Sequence, residues 1–207
     1  MLIGFYNASV ILTYIGLAAA VFGIFQAFEG NFMVAVFCQL IAGVCDMFDG
    51  KIARAMKRTD DEKVFGIQID SLCDLVCFGV FPAMFAYCVG VQSVAGMVIL
   101  IFYVLAAVIR LGYFNVTEQT RQQQTSENRK MYQGLPVTSA ALLIPILYLI
   151  TLLIDGVTVP VFTVGMLVIG VLFIANIRVK KPGNKFAAIL IALGAVVAGL
   201  YVYVMLR

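Results

Sequence analysis

Seven apolar runs dominate this chain, each long enough at 1.5 Å per residue to cross about 30 Å of hydrocarbon as a helix. They fall at residues 8 to 28, 31 to 50, 66 to 90, 93 to 114, 136 to 154, 157 to 177 and 185 to 206. Within lipid every backbone polar group must be satisfied inside its own segment, so runs of this kind fold as spanning helices. The balance of residues agrees, since 63% are hydrophobic, 12% are charged and the mean hydropathy is +1.03. An all-α polytopic membrane protein is expected, in one membrane domain over residues 1–207 with about seven transmembrane helices. The second helix is expected to continue past the membrane to about Met56. The opening MLIGFYN has no Lys or Arg, so the first run reads as a retained span rather than a cleaved signal.

Charge placement orients the spans. The first, third and fifth connections hold Glu29, the neutral segment Gly90 to Ser93, and Asp155, with no Lys or Arg. The alternate connections hold Lys51, Arg54, Lys57, Arg58 and Lys63, then Arg121, Arg129 and Lys130, then Arg178, Lys180, Lys181 and Lys185. The positive-inside rule puts the N-terminus and these basic loops in the cytoplasm, with the chain in the cell membrane. The net charge of +3 is thus a topology signal. Beside spanning helices the basic loops suit anionic lipid, and no nucleic-acid partner is expected. Two connections are more than turns: the acidic segment after Arg54, and Thr117 to Gln133, long enough for a substrate-binding lid.

The absence of histidine removes Ser/His and Cys/His catalysis and His-ligated zinc. Cys38, Cys45, Cys73, Cys77 and Cys88 all lie in apolar runs, where Cys acts as a small hydrophobe, and no disulfide framework is expected. Chemistry must then rest on carboxylates, Arg, Lys or hydroxyls. Asp46 and Asp49 are three residues apart, Asp70 and Asp74 four apart, so each pair shares a helical face. On the helical rise, the first pair lies about 22 to 27 Å along a second span entering near Asn31, and the other pair about 6 to 12 Å into the third span from the opposite direction. The four acids can therefore converge in the cytoplasmic half of the membrane. Each uncompensated Asp there costs roughly 2.5 to 3.5 kcal/mol, so four cost roughly 10 kcal/mol or more. Lys51 and Arg54 lie a turn beyond, and a hard divalent cation with oxygen ligands is the simplest compensation. One such Asp can serve helix packing alone, and an ion pathway through a channel or transporter remains a reading from another class.

The residues Asp46-xx-Asp49-Gly50-xx-Ala53-Arg54 and Gly66-xxx-Asp70-xxx-Asp74 resemble the signature of the CDP-alcohol phosphotransferase family. DSLCDLVCFG from Asp70 and YQGLPVTSAA from Tyr132 are similar to its phosphatidylserine synthase branch, and the likeness covers about residues 7–141. Eleven residues separate Arg54 from Gly66, where the family usually has about eight, and Phe81 stands where a small residue is usual. The resemblance implies a six-helix core and transfer of the phosphatidyl group from CDP-diacylglycerol to L-serine, giving phosphatidylserine and CMP. It implies that Asp46, Asp49, Asp70 and Asp74 hold two divalent cations, Mg2+ or Mn2+, and that Asp74 is also the general base. Gly50, Ala53, Arg54 and Gly66 would line the CDP site, with Arg54 on phosphate. A homodimer in membrane lipid is the family expectation.

The residues themselves do not say how serine is recognised. Arg110, near the cytoplasmic end of the fourth span, is the preferred partner for its carboxylate, unless its side chain snorkels to the interface. Asn115, Lys130, Tyr132 and Gln133 are further candidates. Thr13 matches a family position, or bonds back within its own helix. The same family with a phosphorylated acceptor, glycerol 3-phosphate or an inositol phosphate, would need a second cationic cluster.

Overall fold

The computed structural model describes residues 3–124, 131–180, 188–189, 192–196 and 199. Seven helices account for most of them: α1 (Ala8–Phe28), α2 (Phe32–Ala55), α3 (Asp60–Asp74), α4 (Phe81–Cys88), α5 (Val94–Gln124), α6 (Ala140–Leu153) and α7 (Thr158–Ile174). A π-helical segment, Leu75–Val80, joins α3 to α4, so that Asp60–Cys88 forms one helical rod. Four helices are long and apolar enough to cross a membrane, Val10–Phe28, Phe32–Ala55, Asp60–Cys88 and Val94–Glu118, with shorter apolar helices at Val137–Leu153 and Thr158–Ile174. These match the first six expected spans. The seventh, at 185 to 206, lies largely outside the described residues.

Why the faces of this bundle are apolar on both sides follows from its solvent. Along α5, Val94, Val98, Ile101, Leu105 and Ile109 point outward with more than half their surface exposed, while Leu100, Tyr103, Ala106, Ala107 and Leu111 face the core. A soluble helix would present polar residues there; an outward apolar stripe of this length is a lipid face. The chain is a multi-pass membrane protein.

Two boundaries differ from the sequence expectation. The supposed long loop after Arg54 is only residues 56–59, because α3 begins at Asp60. Thr59 caps it with a reciprocal capping box: the Glu62 N–H donates to the Thr59 hydroxyl at 3.3 Å, and the Thr59 N–H donates to the Glu62 carboxylate at 2.8 Å. Asp60, Asp61 and Glu62 in the first turn suit the positive helix end. The acidic residues that suggested a polar loop are thus a helix start. Likewise, residues 117–124 of the expected lid continue α5. Beyond it, β1 (Met131–Gln133) pairs antiparallel with β2 (Arg178–Lys180), tying together two of the basic connections.

Close approach of α1 sets the position of the site-bearing helices. A Cβ at Gly23 would stand 2.4 Å from Cζ of Phe81 and 2.7 Å from Cβ of Cys38, and one at Gly16 3.0 Å from Cβ of Cys45. Only glycine lets α1 lie so close to α2 and α4. Gly23→Leu is expected to lower the thermal unfolding midpoint in detergent, since overpacking typically costs about 1–3 kcal/mol; an unchanged midpoint would mean that α1 does not pack at this distance.

The π-helical segment is held from both sides. Gln39 of α2 donates from Nε2 to the Cys77 carbonyl at 3.1 Å, and the Tyr103 hydroxyl of α5 donates to the Phe78 carbonyl at 2.7 Å. Wider winding leaves carbonyls poorly served by the helix, and π-segments are frequent beside functional residues. This one starts immediately after Asp74.

Candidate active site

Helices α2 and α3 run in opposite directions from the short turn at 56–59, so residues near the end of one face residues near the start of the other. On α2 the stripe Asp46, Asp49, Gly50 and Ala53 follows i, i+3, i+4, i+7 spacing; on α3 Gly66, Asp70 and Asp74 follow steps of four. The two stripes meet. Carboxylate oxygens of Asp46, Asp49 and Asp70 all lie within 4.8 Å of one another. Asp74 stands one turn deeper, and its carboxyl makes a hydrogen bond with that of Asp46. Asp46, Asp49 and Asp74 line a small cavity with Thr13, Cys73 and Cys77, of about 10 Å³, room for about one water.

These residues fit a hard divalent cation: three carboxylates converge, with oxygen donors only and no histidine in the chain. Thr13 adds a supporting contact. Its hydroxyl donates to Oδ2 of Asp49 at 2.6 Å, so it reaches across to α2. Asp49 itself is only 5% exposed.

Two glycines lie at the same end. Each lies one turn from an acid, Gly50 from Asp46 and Gly66 from Asp70. A Cβ at Gly50 would stand 3.3 Å from Nη1 of Arg54, and a Cβ at Gly66 would stand 3.3 Å from Nη1 of Arg58. Arg54 is exposed and half-buried Ala53 lies beside it on α2. The partner of Gly66 is thus Arg58, a residue that the motif spacing did not single out. Lys51, considered as compensation for the acids, is exposed and lies over the Phe48 ring, with Nζ 5.1 Å from its centroid.

The candidates for acceptor recognition divide. Arg110 is buried, 7% exposed, rather than extended to an exposed interface. Its guanidinium lies 5.0 Å from the centre of the Phe114 ring and near enough to Asp46 for their charges to interact. Asn115 is on the same helix, one residue beyond Phe114, and exchanges hydrogen bonds with Ser71: its Nδ2 donates to the Ser71 hydroxyl at 2.8 Å, and that hydroxyl lies 3.0 Å from Oδ1. Ser71 directly follows Asp70 and lies within the DSLCDLVCFG stretch, where nothing in the sequence pointed to Asn115 as its partner. Gln133 accepts a hydrogen bond from the Tyr113 hydroxyl at 2.7 Å. Tyr132 pairs through its backbone with Val179 in the ribbon. Lys130 lies outside the described residues.

Elsewhere, a groove of about 610 Å³ between α6 and α7 is lined only by apolar residues and Gly165, so it offers no chemistry. All five cysteines are free.

The chain is similar to several known proteins. Over 112 residues the chain is 38% identical to a Saccharomyces cerevisiae CDP-diacylglycerol–serine O-phosphatidyltransferase, covering 53% of this chain and 40% of the relative. It is 31% identical over 160 residues to the Helicobacter pylori protein of that name, covering 75% and 64%. An archaetidylserine synthase of Methanothermobacter thermautotrophicus is 30% identical over 140 residues, covering 67% and 56%. The chain therefore spans about 40 to 64% of the length of these relatives. The sequence pattern of the CDP-alcohol phosphatidyltransferases matches residues 6–203, nearly the whole chain, and the chain belongs to that family.

Proposed function

We propose that this protein transfers the phosphatidyl group of CDP-diacylglycerol to the hydroxyl of L-serine, releasing CMP. The observation that carries this reading is the convergence of three carboxylates from α2 and α3 beside two glycines, each with an arginine guanidinium over it. The names of the relatives, all serine-lipid synthases, support the acceptor. Buried charge supports it too: among the described residues Arg110 is the one buried cation, enough for the carboxylate of serine and thin for an acceptor that carries a phosphate as well.

In this reading Asp46, Asp49 and Asp70, with Asp74 behind them, hold Mg2+ or Mn2+, as two divalent cations. Bound there, the cations would neutralise the diphosphate and the charge that develops on the leaving CMP. Gly50, Ala53 and Gly66 leave space for the nucleotide, and Arg54 meets its phosphate. The Asp74 carboxylate takes the proton from the serine hydroxyl. The hydroxyl oxygen then bonds to the phosphorus that carries the diacylglycerol, and the bond from that phosphorus to the oxygen of CMP breaks, its electron pair leaving with CMP. Arg110 holds the serine carboxylate, and Asn115, kept in position by Ser71, orients the acceptor. Lys130, Tyr132 and Gln133 belong to the connection that would close over it. The positive-inside rule supports a site facing the cytoplasm in the cell membrane, and the family supports a homodimer.

An acceptor screen tests the reading. Purified protein with CDP-diacylglycerol and Mg2+ or Mn2+ is expected to release CMP with L-serine and to form phosphatidylserine. Release with glycerol 3-phosphate or an inositol phosphate but not with serine would replace the acceptor. Ion flux from proteoliposomes without CMP release would point instead to a channel or transporter.

A further inference from the structure

Arg58 has no place in the motif, yet its guanidinium occupies a position equivalent to that of Arg54. On α2 the order toward the short turn is Asp46, Gly50, Arg54; on α3 the order toward the same turn is Asp70, Gly66, and then Arg58 laid back along the helix over Gly66. Each arginine thus covers a glycine that lies one turn, about 6 Å, from an acid of the cluster. Because one connection of four residues joins the two helices, both guanidiniums stand at the same end of the site. Arg58 is half-buried, and its Nε–H is shut off from water with no hydrogen-bond partner among the described residues. A shielded donor of this kind costs free energy until an acceptor arrives, and a guanidinium presents its N–H groups as a fork that suits phosphate oxygens.

We infer that Arg58 is a second guanidinium holding the diphosphate of the nucleotide substrate, opposite Arg54. The inference rests on the proposed function for the identity of that nucleotide. Arg58 lies in the four-residue connection just before the Thr59 cap, from where its side chain folds back to Gly66.

The test is CDP binding by the purified full chain in neutral detergent with Mg2+, free of anionic lipid. Arg58→Gln is expected to weaken CDP at least tenfold and Arg58→Lys, which keeps the charge but not the fork, at least threefold. Lys57→Gln, removing the exposed neighbouring charge, should stay within twofold of wild type. If Arg58→Gln does not give a folded protein, as judged by its melting temperature, Arg58→Lys decides. CDP affinity within twofold of wild type in a folded Arg58 variant overturns the inference. So does an equal loss in Lys57→Gln, which would mark a diffuse charge effect, or a change confined to the KM of the acceptor. Loss of CDP binding in the Arg58 variants of a protein that makes no phosphatidylserine would leave Arg58 in its role and remove serine as acceptor. Phosphatidylserine synthesis with CDP affinity independent of Arg58 would do the reverse, and failure of the wild type to bind CDP would remove both.

Discussion

Asp74→Asn is expected to lower CMP release by about a thousandfold, within the range that general-base catalysis contributes, while CDP still binds. The amide has the shape of the acid and can keep a hydrogen bond to Asp46, so the three converging carboxylates are left in place. What it loses is the ability to take a proton. The measurement is serine-dependent CMP release beside a CDP titration in the same preparation. A loss of less than tenfold would put the base elsewhere. Loss of CDP binding together with turnover would mean that Asp74 acts chiefly as a metal ligand.

Asp49→Asn is expected to have the other large effect, on the metal. Asp49 is one of the three converging acids, is 5% exposed and is held by Thr13. Removing its charge should raise the Mg2+ or Mn2+ concentration needed for CDP binding by about a hundredfold, and Thr13→Val, which removes only the supporting hydroxyl, by about tenfold. Without divalent cation the sign reverses. Carboxylates crowded in a low-dielectric bundle repel, so metal-free Asp49→Asn should unfold at no lower temperature than wild type. A packing acid predicts the opposite pair of results, an unchanged metal requirement and a lower melting temperature.

Much of the site was legible because it obeys local rules. Residues three and four apart on a helix share a face wherever that helix lies, so Asp46 with Asp49 and Asp70 with Asp74 were paired before any fold was known. The cost of burying them made a cation the natural complement. Around residues 56 to 65 the expectation fails, because a run of Thr, Asp, Asp and Glu reads by polarity as a loop. The same residues are the strongest helix-start signal in the chain, a capping box with three acids in its first turn. Residues 117–124 of the connection from Thr117 to Gln133 prolong α5 beyond its apolar part, because polarity alone does not end a helix.

Thr13, Ser71 and Arg58 could not be weighed in that way, because the function of each depends on a neighbour far along the chain or across a turn. Thr13 meets Asp49 across 36 positions and Ser71 meets Asn115 across 44. The sequence by itself determined that the chain spans a membrane as helices, that its chemistry is carboxylate chemistry, and which acids share a face, since hydropathy and helical periodicity act within a segment. Only the tertiary structure decided which acids converge, that Asp74 lies against Asp46, and that a second arginine lies over the second glycine. Those depend on how closely α1, α2 and α3 approach and on the length of one four-residue turn, distances that no periodicity encodes.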